Sequence, residues 1–206
     1  MRAFFAVDLP ESLSDAIADA QRPLVEAPGI DPVDPDDAHV TLQFLGEIDD
    51  DGDAADRNAA DRNDEGNEDA DRVALDDVIA AGERAVERAD IGPFECHVRG
   101  YGVFPHLGYV SVVWAGIDEG AAELARLHEA LEAETTALGV DPENHEFTPH
   151  VTVARMRDAR GKERVQDVVR EGDPDVGRFE ATEIRLVEST LTPDGPVYGT
   201  VETFAL

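Results

Sequence analysis

The chain has one cysteine, one lysine and no apolar run of 18 residues. The lone Cys96 excludes an internal disulfide, and its setting in "FECHVRG" is that of a small core residue. Without a long apolar run no helix is expected to cross a bilayer, so a membrane is not an expected partner. The opening "MRAFFAVDLPESL" has too short an apolar stretch for a secretory signal and lacks the small-residue cleavage pattern, which makes the cytoplasm the expected compartment. There is no cysteine pair and no His-x-x-x-His, so zinc has no framework to occupy and no metal or other cofactor is expected. Basic residues are scarce as well: 17 Lys and Arg stand against 47 Asp and Glu, a net charge of −30. Such a surface repels itself at ordinary ionic strength but stays dispersed and monomeric in concentrated salt. It reads as adaptation to a salt-rich cytoplasm. The plainer alternative, an acidic loop on an ordinary protein, is weakened because the acidity extends well beyond any one loop.

At 206 residues there is core enough for one domain, or for one domain made of two lobes. "RAFFAV" (2–7) reads as a buried strand. A helix over 10–21 follows, opening on Pro10, with Leu13, Ile17 and Ala20 at helical spacing. "HVTLQFLG" (39–46) reads as a second strand closed by Gly46. Residues 49–72 contain no Leu, Ile, Val or aromatic side chain and include a tandem "AADRN". Nothing there offsets the entropy of ordering, so the segment is expected to be a disordered acidic loop inserted into a single domain spanning 1–206. Beyond it come a helix over 73–89, then "FECHVRGYGVF" and "YVSVVWAGI", strand-like and joined through "PHLG". A long helix over 119–138 stops at Gly139, and "PHVTVARM" is the next strand. A short helix around Val165, Val168 and Val169 precedes two last strands in "RFEATEIRLVES" and "PVYGTVETFAL". Irregular alternation, with one His-Val-Thr strand in each half, points to an α+β protein of two similar lobes.

That repeated tripeptide, "HVTL" at 39–42 and "HVTV" at 150–153, carries the chemistry. Strand residues i and i+2 share a face, so His39 and Thr41 project together, as do His150 and Thr152, while Val40 and Val151 turn to a core. Two such strands opposed would line a cleft with two imidazoles and two hydroxyls. One ring can accept a proton while the other donates one, and the hydroxyls can donate to phosphate oxygens whose charge grows in the transition state. Acid on one side and base on the other suits in-line displacement at a phosphodiester, with no metal required. Six histidines in this composition give roughly 0.3 His-x-Thr pairs by chance, so one copy carries little and two carry much more. The plainer reading is two half-buried strand histidines bonded to nearby backbone.

The stretches "RAFFAVDLPESL", "DAHVTLQFLGE", "GVFP", "FTPHVTVARMR" and "LVESTLTPDGPVY" resemble the RNA 2′,3′-cyclic phosphodiesterases, or 2′-5′ RNA ligase family, of the two-histidine phosphoesterase superfamily. The resemblance runs from residue 2 to residue 204 and fails only over 49–72. It implies two pseudo-symmetric lobes of antiparallel sheet with outer helices and an open cleft between them. The implied activity is metal-independent hydrolysis of a terminal 2′,3′-cyclic phosphate on RNA, tRNA fragments included, to a 2′-phosphate. By the same resemblance His39 is the proton donor to the leaving 3′ oxygen and His150 the proton acceptor from water. Thr41 and Thr152 hold the phosphate, and Arg155 lies against the phosphate or the terminal base. The reverse reaction, joining RNA through a 2′-5′ bond, uses the same acid and base, so the sequence does not rank the two directions. A non-catalytic RNA- or nucleotide-binding module and a phosphodiesterase for small cyclic metabolites are the other readings.

Three weaker features remain. Arg155, Arg157, Arg160, Lys162 and Arg164 crowd five basic residues into ten positions, which suggests an RNA-backbone contact. Phe4 and Phe5 could offer a ring to a base, but core packing is the better expectation. His97, His106, His128 and His145 lack a threonine at i+2 and are given no role.

Overall fold

The computed structural model describes residues 1–49, 72–193 and 195–206. The expected acidic loop therefore lies, over 50–71, outside the described residues. Its two ends are joined: Asp49 N donates to Val73 O at 2.9 Å, Leu75 N donates to Asp49 O at 3.0 Å, and Arg72 pairs with Glu47.

In chain order the elements are β1 (Arg2–Asp8), α1 (Ser14–Gln21), β2 (Ile30–Pro32), β3 (His39–Glu47), α2 (Leu75–Ala89), β4 (Phe94–His106), β5 (Tyr109–Ile117), α3 (Ala121–Thr136), β6 (His150–Met156), α4 (Lys162–Glu171), β7 (Asp175–Ala181), β8 (Glu183–Thr192) and β9 (Gly195–Ala205). Local chemistry accounts for the helices. In α2, Asp76 and Asp77 sit at the positive end of the helix dipole and Arg88 at the negative end. One face buries Val78, Ala81, Gly82, Ala85 and Ala89. A Cβ on Gly82 would come within 2.7 Å of the Phe204 ring, so the close approach of α2 to the sheet depends on glycine there. Among the described residues no helix is long and apolar enough to cross a membrane.

The strands form one curled antiparallel sheet in the order β7-β4-β5-β6-β3-β1-β8-β9, with β2 paired to β6. It divides into two four-strand lobes, β7-β4-β5-β6 and β3-β1-β8-β9, so the α+β, two-lobed architecture is as expected. Between the described residues of β3 and β6 the seam is a single residue pair, Val40 with Val151. The helices cross between lobes. α1 follows β1 but packs on β6 and β7 of the other lobe, and α3 follows β5 but packs on β3.

The C-terminal region departs from expectation. "RFEATEIRLVES" is not one strand but the end of β7 and most of β8, divided at Thr182. β7 pairs with β4 at one edge of the sheet while β8 pairs with β1 in the other lobe. The chain changes lobe there without a glycine or proline to mark the break.

Along β1 the side chains alternate cleanly. Ala3, Phe5 and Val7 enter the main core beneath the helices, while Phe4 and Ala6 join Val187 in a small cluster on the opposite face, with Tyr198 against it. That second face is the inside of the curl.

Candidate active site

Val40 and Val151 are fully buried in the helix-side core, each burial contributing about 1.5–3 kcal/mol. Their pairing fixes the site. The residues on either side of each valine project to the inside of the curl: His39 and Thr41 from β3, His150 and Thr152 from β6. Because the strands run antiparallel, His39 lies toward the Thr152 end and His150 toward the Thr41 end. All four are half-buried.

Each ring is tied in the same way. His39 Nδ1 lies 2.7 Å from Asp37 O, and His150 Nδ1 lies 2.7 Å from Thr148 O. A carbonyl only accepts, so both Nδ1 atoms carry the hydrogen and donate it, leaving Nε2 on each ring to exchange protons. Aromatic neighbours fix the ring planes. Phe4 and Tyr198 lie 5.1 and 5.3 Å from His39, ring centre to ring centre, while Phe104 and Trp114 lie 4.9 and 5.9 Å from His150.

Burial pushes both imidazoles below their ordinary titration range. Their other surroundings differ. Around His39, the bond to Asp37 and the charges of Asp8 and Asp37 work against burial, while Arg155 works with it. Around His150, the bond to Thr148 and the charge of Glu143 oppose burial, while His39 and Arg155 reinforce it. A cavity of about 650 Å³ opens beside His39, with Asp8, Asp37, Glu183, Arg185 and Tyr198 in its wall.

Arg155 reaches the site through a β-bulge. Simple alternation from His150 would send residue 155 to the helix side. Instead Val113 pairs with Ala154 and Trp114 with Thr152, so Val153 is an extra residue and the parity flips behind it. β3 does the same: Phe5 pairs with Gln43 and Ala6 with Thr41, leaving Leu42 as the extra residue. Each bulge carbonyl is held from behind by the helix that crossed over. Val153 O accepts from Gln21 Nε2 of α1 at 2.9 Å, and Leu42 O accepts from His128 Nδ1 of α3 at 2.8 Å. The residue delivered inward in β6 is Arg155. Its counterpart in β3 is Phe44, 62% exposed and 5.9 Å from Phe4.

The structure thus brings His39, Thr41, His150, Thr152 and Arg155 to one concave surface. It divides the basic run around Arg155. Arg157 faces Asp31 at 3.9 Å, Arg160 pairs with Asp158 at 2.9 Å, Lys162 donates to Gly108 O, and Arg164 faces Glu26 at 3.3 Å. Arg155 alone in that run has neither a carboxylate nor a carbonyl holding its side chain among the described residues, so the expected backbone contact contracts to this residue. Of the two phenylalanines, Phe5 is core, as expected, whereas Phe4 is buried against His39 on the cleft side. His97 bridges Asp118 and Asp175 at 3.0 and 2.9 Å, and His128 also stacks on Phe147. Sequence reasoning missed Asp8, Phe104, Trp114 and Tyr198. Phe104 and Tyr198 lie in the stretches "GVFP" and "PVY", yet only the folded sheet sets them against the imidazoles.

The fold is shared with known proteins. The crystal structure of TT0787 from Thermus thermophilus matches with a TM-score of 0.73 at 30% identity, covering 100% of this chain and 98% of that one. A Methanothermobacter thermautotrophicus protein named RNA 2′,3′-cyclic phosphodiesterase is 32% identical over 208 residues, 100% of this chain and 99% of the relative. An Aeropyrum pernix protein of the same name is 35% identical over 170 residues, 82% of each. The 2′-5′ RNA ligase superfamily profile matches residues 9–192. The chain belongs to the 2′-5′ RNA ligase superfamily.

Proposed function

We propose that the protein is a hydrolase, an RNA 2′,3′-cyclic phosphodiesterase that opens the cyclic phosphate to a 2′-phosphate with His39 and His150 as its acid–base pair. The observation that carries this reading is the Val40–Val151 seam, which turns two imidazoles and two threonines toward one another. The cyclic phosphate lies between the strands, its non-bridging oxygens accepting from the Thr41 and Thr152 hydroxyls. Water attacks phosphorus opposite the 3′ oxygen and gives its proton to His150 Nε2. As the bond from phosphorus to the 3′ oxygen breaks, His39 Nε2–H protonates that oxygen, leaving a 2′-phosphate and a free 3′-hydroxyl. Charge growing on the phosphoryl oxygens is met by the hydroxyls and by Arg155. Each step uses side chains of this chain and needs no metal.

The names of the relatives support RNA as the substrate, and we extend the reading to tRNA fragments ending in a cyclic phosphate. The same pair run backwards would join RNA through a 2′-5′ bond, but water at high concentration favours hydrolysis. A binding module without turnover is disfavoured by the matched tethering of both rings, which leaves two exchangeable Nε2 atoms where binding alone needs only donors. We read the enzyme as a monomer, one bilobed domain over 1–206 with an acidic insertion at 49–72, working in the cytoplasm of a salt-rich cell; the net charge of −30 supports that setting. The test is product analysis on an oligoribonucleotide ending in 2′,3′-cyclic phosphate, incubated in molar KCl. A 2′-phosphate end supports the reading. A 3′-phosphate end, or bound and unchanged RNA, overturns it.

A further inference from the structure

The two lobes repeat each other closely around the histidines, yet the chemistry needs one ring protonated and the other free. Besides Arg155 and its counterpart Phe44, a position directly beside the rings breaks the repeat. On β1 the residue paired with His39 is Asp8, whereas on β5 the residue paired with His150 is Gly116. Directly opposed residues on neighbouring strands project to the same face with Cβ atoms about 4.5–5.5 Å apart, so a carboxylate stands beside one imidazole and no side chain occupies the matching position beside the other. Asp8 is fixed in place. Arg185 of β8 donates to its Oδ2 at 2.7 Å and to Glu183 Oε1 at 2.9 Å from Nε and 2.6 Å from Nη2. Asp8, Arg185 and His39 all line the 650 Å³ cavity. Asp8 does not orient the ring by a direct bond, because His39 Nδ1 is already engaged by Asp37 O. It acts through space on the charge of the imidazolium.

We propose that Asp8, clamped by Arg185, is the positioning residue that makes the two histidines unequal, holding the exchangeable proton on His39 and leaving His150 as the base. This rests on the acid–base reading above and supplies the physical reason for its direction. The charged and titratable groups around His39 are Asp8 from β1, Asp36 and Asp37 before β3, Arg155 and His150 from β6, Glu180 from β7, Glu183 and Arg185 from β8 and Tyr198 from β9. Asp37 is the other carboxylate favouring the charged ring, and Arg155 opposes it. Glu143 is the carboxylate that bears on His150, and His39 and Arg155 offset it there.

The test is a pair of variants with opposite expected signs. Asp8→Asn removes the carboxylate and leaves Arg185 less compensated, so His39 should titrate at lower pH. Arg185→Gln leaves Asp8 unneutralised, so His39 should titrate at higher pH. Ring titrations followed by NMR in the intact protein, at the lowest KCl that keeps the circular dichroism of the fold, read both shifts, with His150 moving less than His39 in each. Asp8→Glu should return the His39 titration toward that of the native protein. In kinetics, Asp8→Asn should pull in the alkaline limb of kcat/KM. The rate at pH 8, relative to the maximum of each profile, should then fall about threefold to tenfold below that of the native enzyme. A simple loss of structure would move both variants the same way. A His39 titration that stays put, or moves in one direction in both variants, overturns the proposal while the acid–base reading stands. A fully active His39→Ala variant overturns that reading itself, whatever the titrations show.

Discussion

Burial sets the pH behaviour of His39 and His150 before any substrate arrives. Both rings are harder to protonate in the fold than in the unfolded chain, where imidazole titrates near 6.5. The native state therefore binds fewer protons than the unfolded one in that window. The stability these rings contribute is present above about pH 6.5 and is lost as pH falls below it. The same shifts act on catalysis. The base must be free and the acid protonated, so both limbs of the kcat/KM profile should lie below those of free imidazole. We expect a bell with its maximum on the acid side of neutrality, measured on a cyclic-phosphate dinucleotide. A maximum above pH 8 would show that burial does not govern the pair. Threonines 41 and 152 have no such titration, and their loss should lower the whole profile without displacing it.

Among the elements, β3 and β6 carry the most information, because each combines a motif with a bulge. The motif was legible: His-Val-Thr in a strand-like run shows which side chains share a face. So were β1, α2, α3 and the two-lobed plan, because their apolar spacing matches how they bury. The bulges at Leu42 and Val153 were not legible. Nothing in "HVTLQF" or "HVTVAR" marks an extra residue, since the signal is a carbonyl held by Gln21 or His128 from a helix far away in sequence. Strict alternation would have put Arg155 on the wrong face, and only the resemblance kept it in the site. The break at Thr182 was hidden because β7 and β8 are both good strands whose partners lie in different lobes. Gln21→Leu tests the bulge. It strips the side-chain donor from Val33 O and one of two donors from Val153 O, which keeps the Val33 N–H at 3.2 Å, costing about 0.5–1.5 kcal/mol for each hydrogen bond lost. If the bulge delivers Arg155, KM should rise with kcat less affected, as in Arg155→Ala. Denaturation and steady-state kinetics read the two effects separately. Lost stability with an unchanged KM would confine Gln21 to packing.

For the molecule as a whole, charge and substrate pull against each other. A net charge of −30 repels an RNA backbone, and only Arg155 of the basic run stands uncommitted near the cleft. At about 1 M salt the screening length falls to about 3 Å, which silences distant carboxylates but spares contacts inside the site. Counterion release works the other way and weakens RNA binding as salt rises. With one cation on offer we expect repulsion to dominate, so kcat/KM should climb from low KCl into the molar range; a steady fall with the fold intact would contradict that. Deleting residues 50–70 should leave folding and turnover nearly unchanged, because Asp49 and Val73 already join the flanking chain. Circular dichroism and kinetics of the deletion variant check this. Whether two tethered imidazoles do the chemistry without a metal is decided by single-turnover rates of His39→Ala and His150→Ala, measured in molar KCl with excess chelator. The native enzyme should stay fully active under chelation, and each variant should lose about 10²- to 10⁴-fold. Native activity that vanishes with chelator and returns with a divalent ion, or near-normal rates in either folded variant, would contradict that mechanism.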